Sequence, residues 1–139
     1  MVPFLLFMIL AVGVALLIRY EVLVHRNLRR FLDRGCTGGQ WRRRFRDASK
    51  PEIRTFLDLF VEAFLFEPEQ RLVFSPDDRL MDIYLARYPA TLVDMGGDAL
   101  ELETFQERLR ERYHLDLTAI WQDDITLGEI FRYTRTVSN

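Results

Sequence analysis

The residues of this chain that could perform chemistry are few and widely separated. His25 and His114 are the only histidines, and Cys36 is the only cysteine. Structural zinc sites need four ligands, usually Cys and His in closely spaced pairs, and these three residues offer no such spacing. A single cysteine also cannot form a disulfide within the chain. The sequence therefore predicts no metal site, and Cys36 is expected to be an inert thiol.

Carboxylates and glycines form short motifs that could belong to an enzyme. Residues 77–78 and 123–124 are paired aspartates, but each pair precedes a predicted helix, where capping accounts for it. Residues 95–98 contain the Gly-Gly-Asp of cyclic dinucleotide synthases without the acidic residue and the larger α/β domain that those enzymes need. The glycines of residues 35–39 lack the Gly-Lys-Ser/Thr of a phosphate-binding loop. We therefore expect no catalytic residue, no cofactor and no enzyme.

Charge divides the chain into three blocks, although the total charge is only −2. Residues 1–18 carry no charged side chain. Residues 19–50 hold ten basic residues against three acidic ones, a net charge of +7, and residues 51–139 hold nine against eighteen, a net charge of −9. An acidic folded domain is repelled by phosphates, so no nucleic-acid partner is expected. The pattern predicts an apolar segment, a basic connector and a folded domain in series.

Residues 1–18 have the length and composition of a membrane-spanning helix. At about 1.5 Å per residue they extend roughly 27 Å, close to a hydrocarbon core of about 30 Å. A cleaved signal peptide would have a basic residue before the apolar run and small residues after it, whereas here Arg19 follows bulky side chains. A buried core helix would carry a polar stripe, which this segment lacks. We therefore predict a single transmembrane helix in residues 1–24.

The basic residues that flank this segment all lie on its C-terminal side. Positive flanks stay in the cytosol. The expected topology is therefore an N-terminus outside the cell (plasma, or inner) membrane and a C-terminal domain in the cytosol, with the lipid bilayer as one partner.

The basic connector, residues 25–50, ends in a run of four arginines and two aromatic residues. A lipid-headgroup site would consist of Trp41, Arg42, Arg43, Arg44 and Arg46. Each arginine near an anionic surface contributes on the order of 1 kcal/mol, and aromatic rings can enter the interface. The simpler interpretation is a solvated run that only enforces topology, and it is favoured because the topology already requires this charge. RNA binding by the same basic, aromatic run is a further interpretation.

Two helices are predicted in the first half of the domain at residues 51–139. The clearer one spans residues 51–66, with Ser49 as its N-cap and apolar residues at intervals of three and four. Residues 75–78 then open a shorter helix that ends before Pro89. Its inward side chains are expected to be Leu80, Ile83 and Tyr84.

Two further helices are predicted in the second half of the domain. Asp98 and Glu101 form an Asp variant of the capping box, and Thr126 and Glu129 form one of the usual type. The inward side chains are expected to be Leu102, Phe105 and Leu109 in the third helix and Leu127, Ile130 and Phe131 in the fourth. Because no alternation typical of strands appears, the predicted fold class is all-α, with a transmembrane helix followed by a small four-helix domain.

Three motifs follow one another in the second half of this domain. Gly-Gly-Asp-Ala-Leu-Glu-Leu-Glu opens a helix, Arg-Glu-Arg-Tyr-His-Leu-Asp-Leu ends it, and Ile-Thr-Leu-Gly-Glu-Ile opens the last helix. With the long first helix, this order resembles acyl carrier proteins, and more closely the uncharacterised acyl-carrier-like proteins of bacteria. The resemblance covers about residues 51–137 and implies an acyl-carrier-like four-helix domain.

In working carriers an Asp-Ser-Leu opens the second helix, and the serine holds the phosphopantetheine arm. The matching residues here are Asp98, Ala99 and Leu100, so the resemblance implies a carrier position without an attachment hydroxyl. An ordinary capped helix start is the other interpretation of these three residues.

Carriers dock the acidic face of this helix on basic surfaces of their partners. The matching residues here are Glu101, Glu103, Glu107 and Glu111, and a solvated helix face is their simpler interpretation. The expected function is a non-enzymatic, membrane-anchored protein-interaction module. One alternative is a carrier loaded at another hydroxyl in lipid or acyl metabolism. A second is an envelope or lipid-surface factor that acts through residues 41–46.

Overall fold

A computed structural model describes residues 1–89 and 99–137, and the regular elements in these residues are helices. The α-helices are α1 (Val2–Leu32), α2 (Gly38–Arg44), α3 (Lys50–Ala63), α4 (Leu80–Arg87), α5 (Leu100–Tyr113), α6 (Leu117–Ile120) and α7 (Leu127–Val137). A 3-10 helix at Pro68–Val73 lies between α3 and α4. The predicted all-α class is confirmed for the described residues, in which extended pairing is limited to an isolated bridge between Arg79 and Thr126.

The first helix, α1, is continuous but has two different halves. Residues 2–18 are exposed, apart from the half-buried Gly13. Beyond them, Val24, Leu28 and Phe31 are buried in the core of the domain. Their spacing of four and three residues places them on one side of the helix. The membrane-type segment therefore continues without a break into a helix that the domain needs for its core.

The buried side of α1 packs against α4. The Tyr20 hydroxyl donates a hydrogen bond to the carbonyl oxygen of Arg87 at 3.4 Å. Ten residues further along α1, the Arg30 guanidinium donates to the carbonyl oxygen of Asp82 at 3.2 Å. Because the later residue of α1 meets the earlier residue of α4, the two helices run antiparallel, and α4 ends beside the start of the packed half of α1.

The basic connector is part of the domain rather than a linker. Gly38 and Gly39 begin α2. Trp41 is 0% exposed, and its indole N–H donates to the carbonyl oxygen of Phe74 at 2.8 Å. Phe45 is buried beside it, with the two rings stacked at 5.9 Å between centroids. The prediction that Trp41 contacts lipid headgroups is therefore wrong, because both rings lie on the inward face of a helix and enter the core.

The hydrophobic core is built around aromatic side chains from several elements. The rings that are at most 1% exposed belong to Trp41, Phe56, Phe60, Phe64, Phe74, Phe105 and Phe131. Phe60 meets Phe74 and Phe105 edge to face, at 5.1 and 5.6 Å between centroids. Such pairs add about 0.5–1.5 kcal/mol beyond the burial of their area. Since α1 and α2 contribute to the same core, the packed unit includes the second half of α1, where Val24 is the first buried residue, and does not begin at the predicted boundary of residue 51.

Two helices begin with capping boxes, and the sequence predicts one of the two in full. At α3, the Ser49 hydroxyl accepts the Glu52 N–H at 3.3 Å and the Glu52 carboxylate accepts the Ser49 N–H at 2.7 Å, a full box where only the cap was predicted. At α7, the reciprocal pair between Thr126 and Glu129 has distances of 3.2 and 2.9 Å. These local hydrogen bonds satisfy N–H groups that a helix start leaves without partners.

The C-terminal end of α3 is a Schellman motif with an unusual residue in it. The Leu65 N–H donates to the Glu62 carbonyl at 3.2 Å, and the Phe66 N–H donates to the Val61 carbonyl at 2.8 Å. Leu65 has φ of 58°, the left-handed conformation that glycine normally supplies at this position. A side chain there costs about 1–2 kcal/mol. The Leu65 side chain is nevertheless 67% exposed, so its packing within the domain offsets little of that cost.

Candidate functional site

The apolar half of α1 is the first candidate functional surface. Among the described residues, α1 is the one helix that is long and apolar enough to cross a membrane, on its length and composition, and none of its apolar 18-residue window is buried. An apolar surface this large seldom stays in water on a soluble monomer.

The carrier-like position lies at the start of α5. Asp98, the predicted cap, is outside the described residues. Ala99 occupies the N-cap position of α5 and makes no side-chain capping hydrogen bond, and Leu100 is 57% exposed. The carboxylate of Glu101 accepts a hydrogen bond from the Tyr88 hydroxyl. Burial and this hydrogen bond raise the pKa of Tyr88 to about 12. Glu101 is therefore engaged in joining α5 to the end of α4.

The acidic face of α5 consists of three residues rather than the four predicted as its members. Glu103, Glu107 and Glu111 are exposed and follow one another at intervals of four, which aligns them along one side of the helix. Glu101 is half-buried at the end of this row. Arginines lie beside these carboxylates in the sequence. The ion pairs that the described residues of α5 form, however, join Arg108 to Glu62 at 3.5 Å and Arg110 to Asp116 at 3.7 Å. The three carboxylates are thus available to a partner.

The exposed arginines of the basic segment line an open surface cavity. Arg42, Arg43, Arg46 and Lys50 surround a space of about 520 Å³. Arg44 is also partly exposed, but it forms an ion pair with Asp77 of the loop before α4. Four of the five predicted headgroup residues therefore keep their charged ends at the surface, while Trp41 is inside.

The basic segment does not lie near the apolar half of α1. The packed half of α1, Arg19 to Leu32, has fourteen residues and extends about 20 Å. The chain reaches α2 only after it, and α2 is joined to the loop before α4 through Arg44 and Asp77. The structure thus separates these arginines from the candidate membrane segment, although both are close in the sequence.

The reactive side chains stay apart in the folded chain. Cys36 is exposed. His114 is the C-terminal cap of α5, with a left-handed φ of 55°. In the parts of the chain that the structure describes, no three His, Cys, Asp or Glu side chains come together in a way that could hold a metal ion.

Sequence reasoning missed two features. One is the pair of buried rings in α2, and the signal was present, because Trp41 and Phe45 are four residues apart while Arg42, Arg43 and Arg46 occupy the other face. The other is the exposed Leu65 at the end of α3. Its backbone conformation has no sequence signal, since the residue that normally marks it is glycine.

These features define an all-α protein in which one helix, long and apolar enough to cross a membrane, continues into a packed helical domain. Comparisons with protein-family models, with curated proteins and with solved structures find no match for this chain.

Proposed function

We propose that the chain is a single-pass membrane protein whose helical domain is a non-enzymatic, acyl-carrier-like protein-interaction module. The observation that carries the proposal is the continuity of α1. The same helix presents an unburied apolar run and supplies Val24, Leu28 and Phe31 to the core. Transfer of the apolar run from water to lipid is favourable by about 25 cal/mol for each Å². Removal of the run near Arg19 would cut next to the packed residues, which favours a retained anchor over a cleaved leader.

The proposed topology has the N-terminus outside and the domain in the cytosol of a bacterial cell. The support is the position of the arginines, which begin only at Arg19. Protease added to right-side-out vesicles should leave the domain intact, and protease added to inverted vesicles should digest it. The opposite pattern would reject this orientation while leaving the membrane span itself in place.

The acyl-carrier-like part of the proposal is supported by the order of elements from α3 to α7. The long helix α3 is followed by a connection that contains the 3-10 helix and α4, a second long helix that begins at Leu100, a short helix and a final helix. Ala99 stands at the carrier position and has no hydroxyl to which an arm could be attached. We therefore propose that the domain carries no phosphopantetheine.

Mass spectrometry after co-expression with a phosphopantetheinyl transferase tests this part. The natural chain should gain no arm. The matched variant Ala99→Ser restores Asp-Ser-Leu and should be modified if the domain is carrier-like. An arm on the natural chain would show that another hydroxyl is loaded and would favour a membrane-tethered carrier. An Ala99→Ser variant that folds and stays unmodified would count against the carrier-like fold.

The proposed partner is a protein with a basic surface that docks on Glu103, Glu107 and Glu111. Its support is the exposure of these three carboxylates in one row. A photo-crosslinker placed at Gln106 in the full-length chain should give a discrete product in cells. Charge reversal of the three glutamates to lysine should abolish that product. Reversal of Asp123 and Asp124, which are exposed outside α5, is the control and should leave it unchanged.

A further inference from the structure

One end of the helical domain lies at the level where the apolar half of α1 ends. The uncharged run of α1 stops at Ile18, and Tyr20 follows at the position where interfacial aromatic residues concentrate. The hydrogen bond from the Tyr20 hydroxyl to the Arg87 carbonyl therefore places the end of α4 at the edge of the membrane proposed above. The headgroup layer extends about 5–7 Å beyond the hydrocarbon core, so neighbours of Arg87 fall within its reach.

Two other chain segments gather at this same end. The Arg87 guanidinium lies over the Phe66 ring, 5.5 Å from its centroid. This contact brings the C-terminal end of α3 beside the end of α4. The next residue, Tyr88, hydrogen-bonds to Glu101 and brings the start of α5 to the same place. The ends of α3 and α4 and the start of α5 are thus neighbours, and we call the domain surface around them the membrane-proximal face.

An exposed leucine is the sequence neighbour of two of these contacting residues. Leu65, next to Phe66, is 67% exposed, and Leu100, next to Glu101, is 57% exposed. Neither side chain contributes much to the core, and Leu65 also occupies a backbone conformation that favours glycine. An exposed leucine that strains the backbone is explained if its side chain has an apolar partner outside the domain.

We propose that Leu65 and Leu100 insert into the interfacial layer of the bilayer that α1 crosses, so that the domain is seated directly on the membrane. This inference rests on the proposed membrane span of α1. The continuity of α1 indicates that the partner of this face is the bilayer, because the helix that packs on α4 is the helix proposed to enter the bilayer. Arg19 follows the apolar run and Arg87 ends α4, and both carry positive charge suited to anionic headgroups.

The test uses fluorescent labels on single cysteines in the full-length chain. The background is Cys36→Ser, and the labelled variants are Leu65→Cys and Leu100→Cys. Leu10→Cys in the apolar half of α1 is the lipid control, and Arg43→Cys on α2 is the water control. Each protein is reconstituted into vesicles of three parts phosphatidylcholine and one part phosphatidylglycerol. Quenching is then measured with nitroxide-bearing lipids and, separately, with iodide in the water.

Labels at positions 65 and 100 should be quenched severalfold more by the lipid nitroxide than the label at position 43. If they behave like position 43 while position 10 reports lipid, the seating is wrong and the membrane span stands. If position 10 also behaves like position 43, the proposed membrane span is wrong, and the seating is wrong with it. If positions 65 and 100 are shielded from both quenchers, a protein covers the face and the seating is again wrong.

A second measurement separates membrane contact from folding. Leu65→Gly suits the backbone conformation at position 65, so the domain should fold at least as well as before. Lipid quenching of a label at position 100 should nevertheless fall severalfold in this variant. The control Val137→Ser removes an exposed apolar side chain from the end of α7 and should leave that quenching unchanged. Unchanged quenching in Leu65→Gly would overturn the role given to Leu65.

Discussion

The guanidinium of Arg34 donates hydrogen bonds to both carboxylate oxygens of Asp78, one of them at 2.9 Å. The same carboxylate accepts the backbone N–H of Ser75 at 2.7 Å, and the backbone carbonyl of Asp78 accepts the N–H of Leu127 at 2.9 Å. One residue therefore connects the end of α1, the loop before α4 and the start of α7. Together with the hydrogen bond from Tyr20 to Arg87, this connection holds the candidate membrane helix to the domain at both ends of its packed half.

Loss of the Asp78 charge should destabilise the domain. Asp78→Asn should lower the free energy of unfolding by about 1–2 kcal/mol, since charge-assisted hydrogen bonds are among the stronger ones but Arg34 is one-third exposed. Chemical unfolding in detergent micelles, followed by circular dichroism, measures the change. Asp77→Asn is the matched control, because its pair with Arg44 is largely exposed, and it should cost less than about 1 kcal/mol. Equal effects of the two variants would contradict the connecting role of Asp78.

A side chain at Gly128 should disrupt the contact between the loop before α4 and the start of α7. The Gly128 N–H donates to the Pro76 carbonyl oxygen at 2.8 Å, and a Cβ atom at Gly128 would lie 2.7 Å from that oxygen. Gly128→Ala should therefore cost about 1–3 kcal/mol of unfolding free energy by overpacking. Gly39→Ala is the control. Its Cβ atom would lie 4.0 Å from the flexible Arg43 side chain, so the variant should be neutral or more stable by up to about 1 kcal/mol. A well-tolerated Gly128→Ala would show that the loop before α4 can move away from the start of α7 at little cost.

The indole of Trp41 should report the protein core and not the membrane. In a Trp121→Phe background, Trp41 is the remaining tryptophan, and its emission should be shifted to short wavelengths. Nitroxide-bearing lipids should leave that emission unchanged, because the ring is 0% exposed within the core of the domain. Strong quenching by these lipids would restore the lipid-headgroup interpretation of residues 41–46.

The stability of the domain should fall in acid, and two capping carboxylates should contribute to the fall. Hydrogen bonds from Ser49 lower the pKa of Glu52 below 4.5, and hydrogen bonds from Thr126 do the same for Glu129. A carboxyl with a lowered pKa in the folded state stabilises that state above the unfolded pKa of 4.5, and this contribution disappears as the pH falls through the folded value. The double variant Glu52→Gln and Glu129→Gln should thus show a weaker dependence of unfolding free energy on pH below about 4.5.

The control for this pH series is Glu107→Gln, which removes an exposed carboxylate from the middle of α5. It should leave the acid limb of the stability curve as in the natural chain. A double capping variant with an unaltered acid limb would mean that other carboxylates dominate the loss.

Much of the local structure could be predicted from the sequence, because it depends on residues close together in the chain. Ser49 with Glu52 and Thr126 with Glu129 mark helix starts through hydrogen bonds that span three residues. The apolar run before Arg19 likewise identifies a membrane-type helix by its length and composition. The absence of strand-type alternation predicts the all-α class, which the described residues confirm.

The tertiary structure decided which faces of these helices are covered and where they lie relative to the apolar half of α1. Trp41 looks like an interfacial residue in a basic run, but its partner Phe74 is thirty-three residues away. Burial depends on contacts between elements distant in the chain, and no local pattern contains that information. For the same reason, the sequence predicts that the basic run lies beside the apolar half of α1, whereas in the fold the packed half of α1 separates the two. Leu65 and Leu100 are thirty-five residues apart in the sequence, and their neighbours come together only because Phe66 meets Arg87 and Tyr88 meets Glu101.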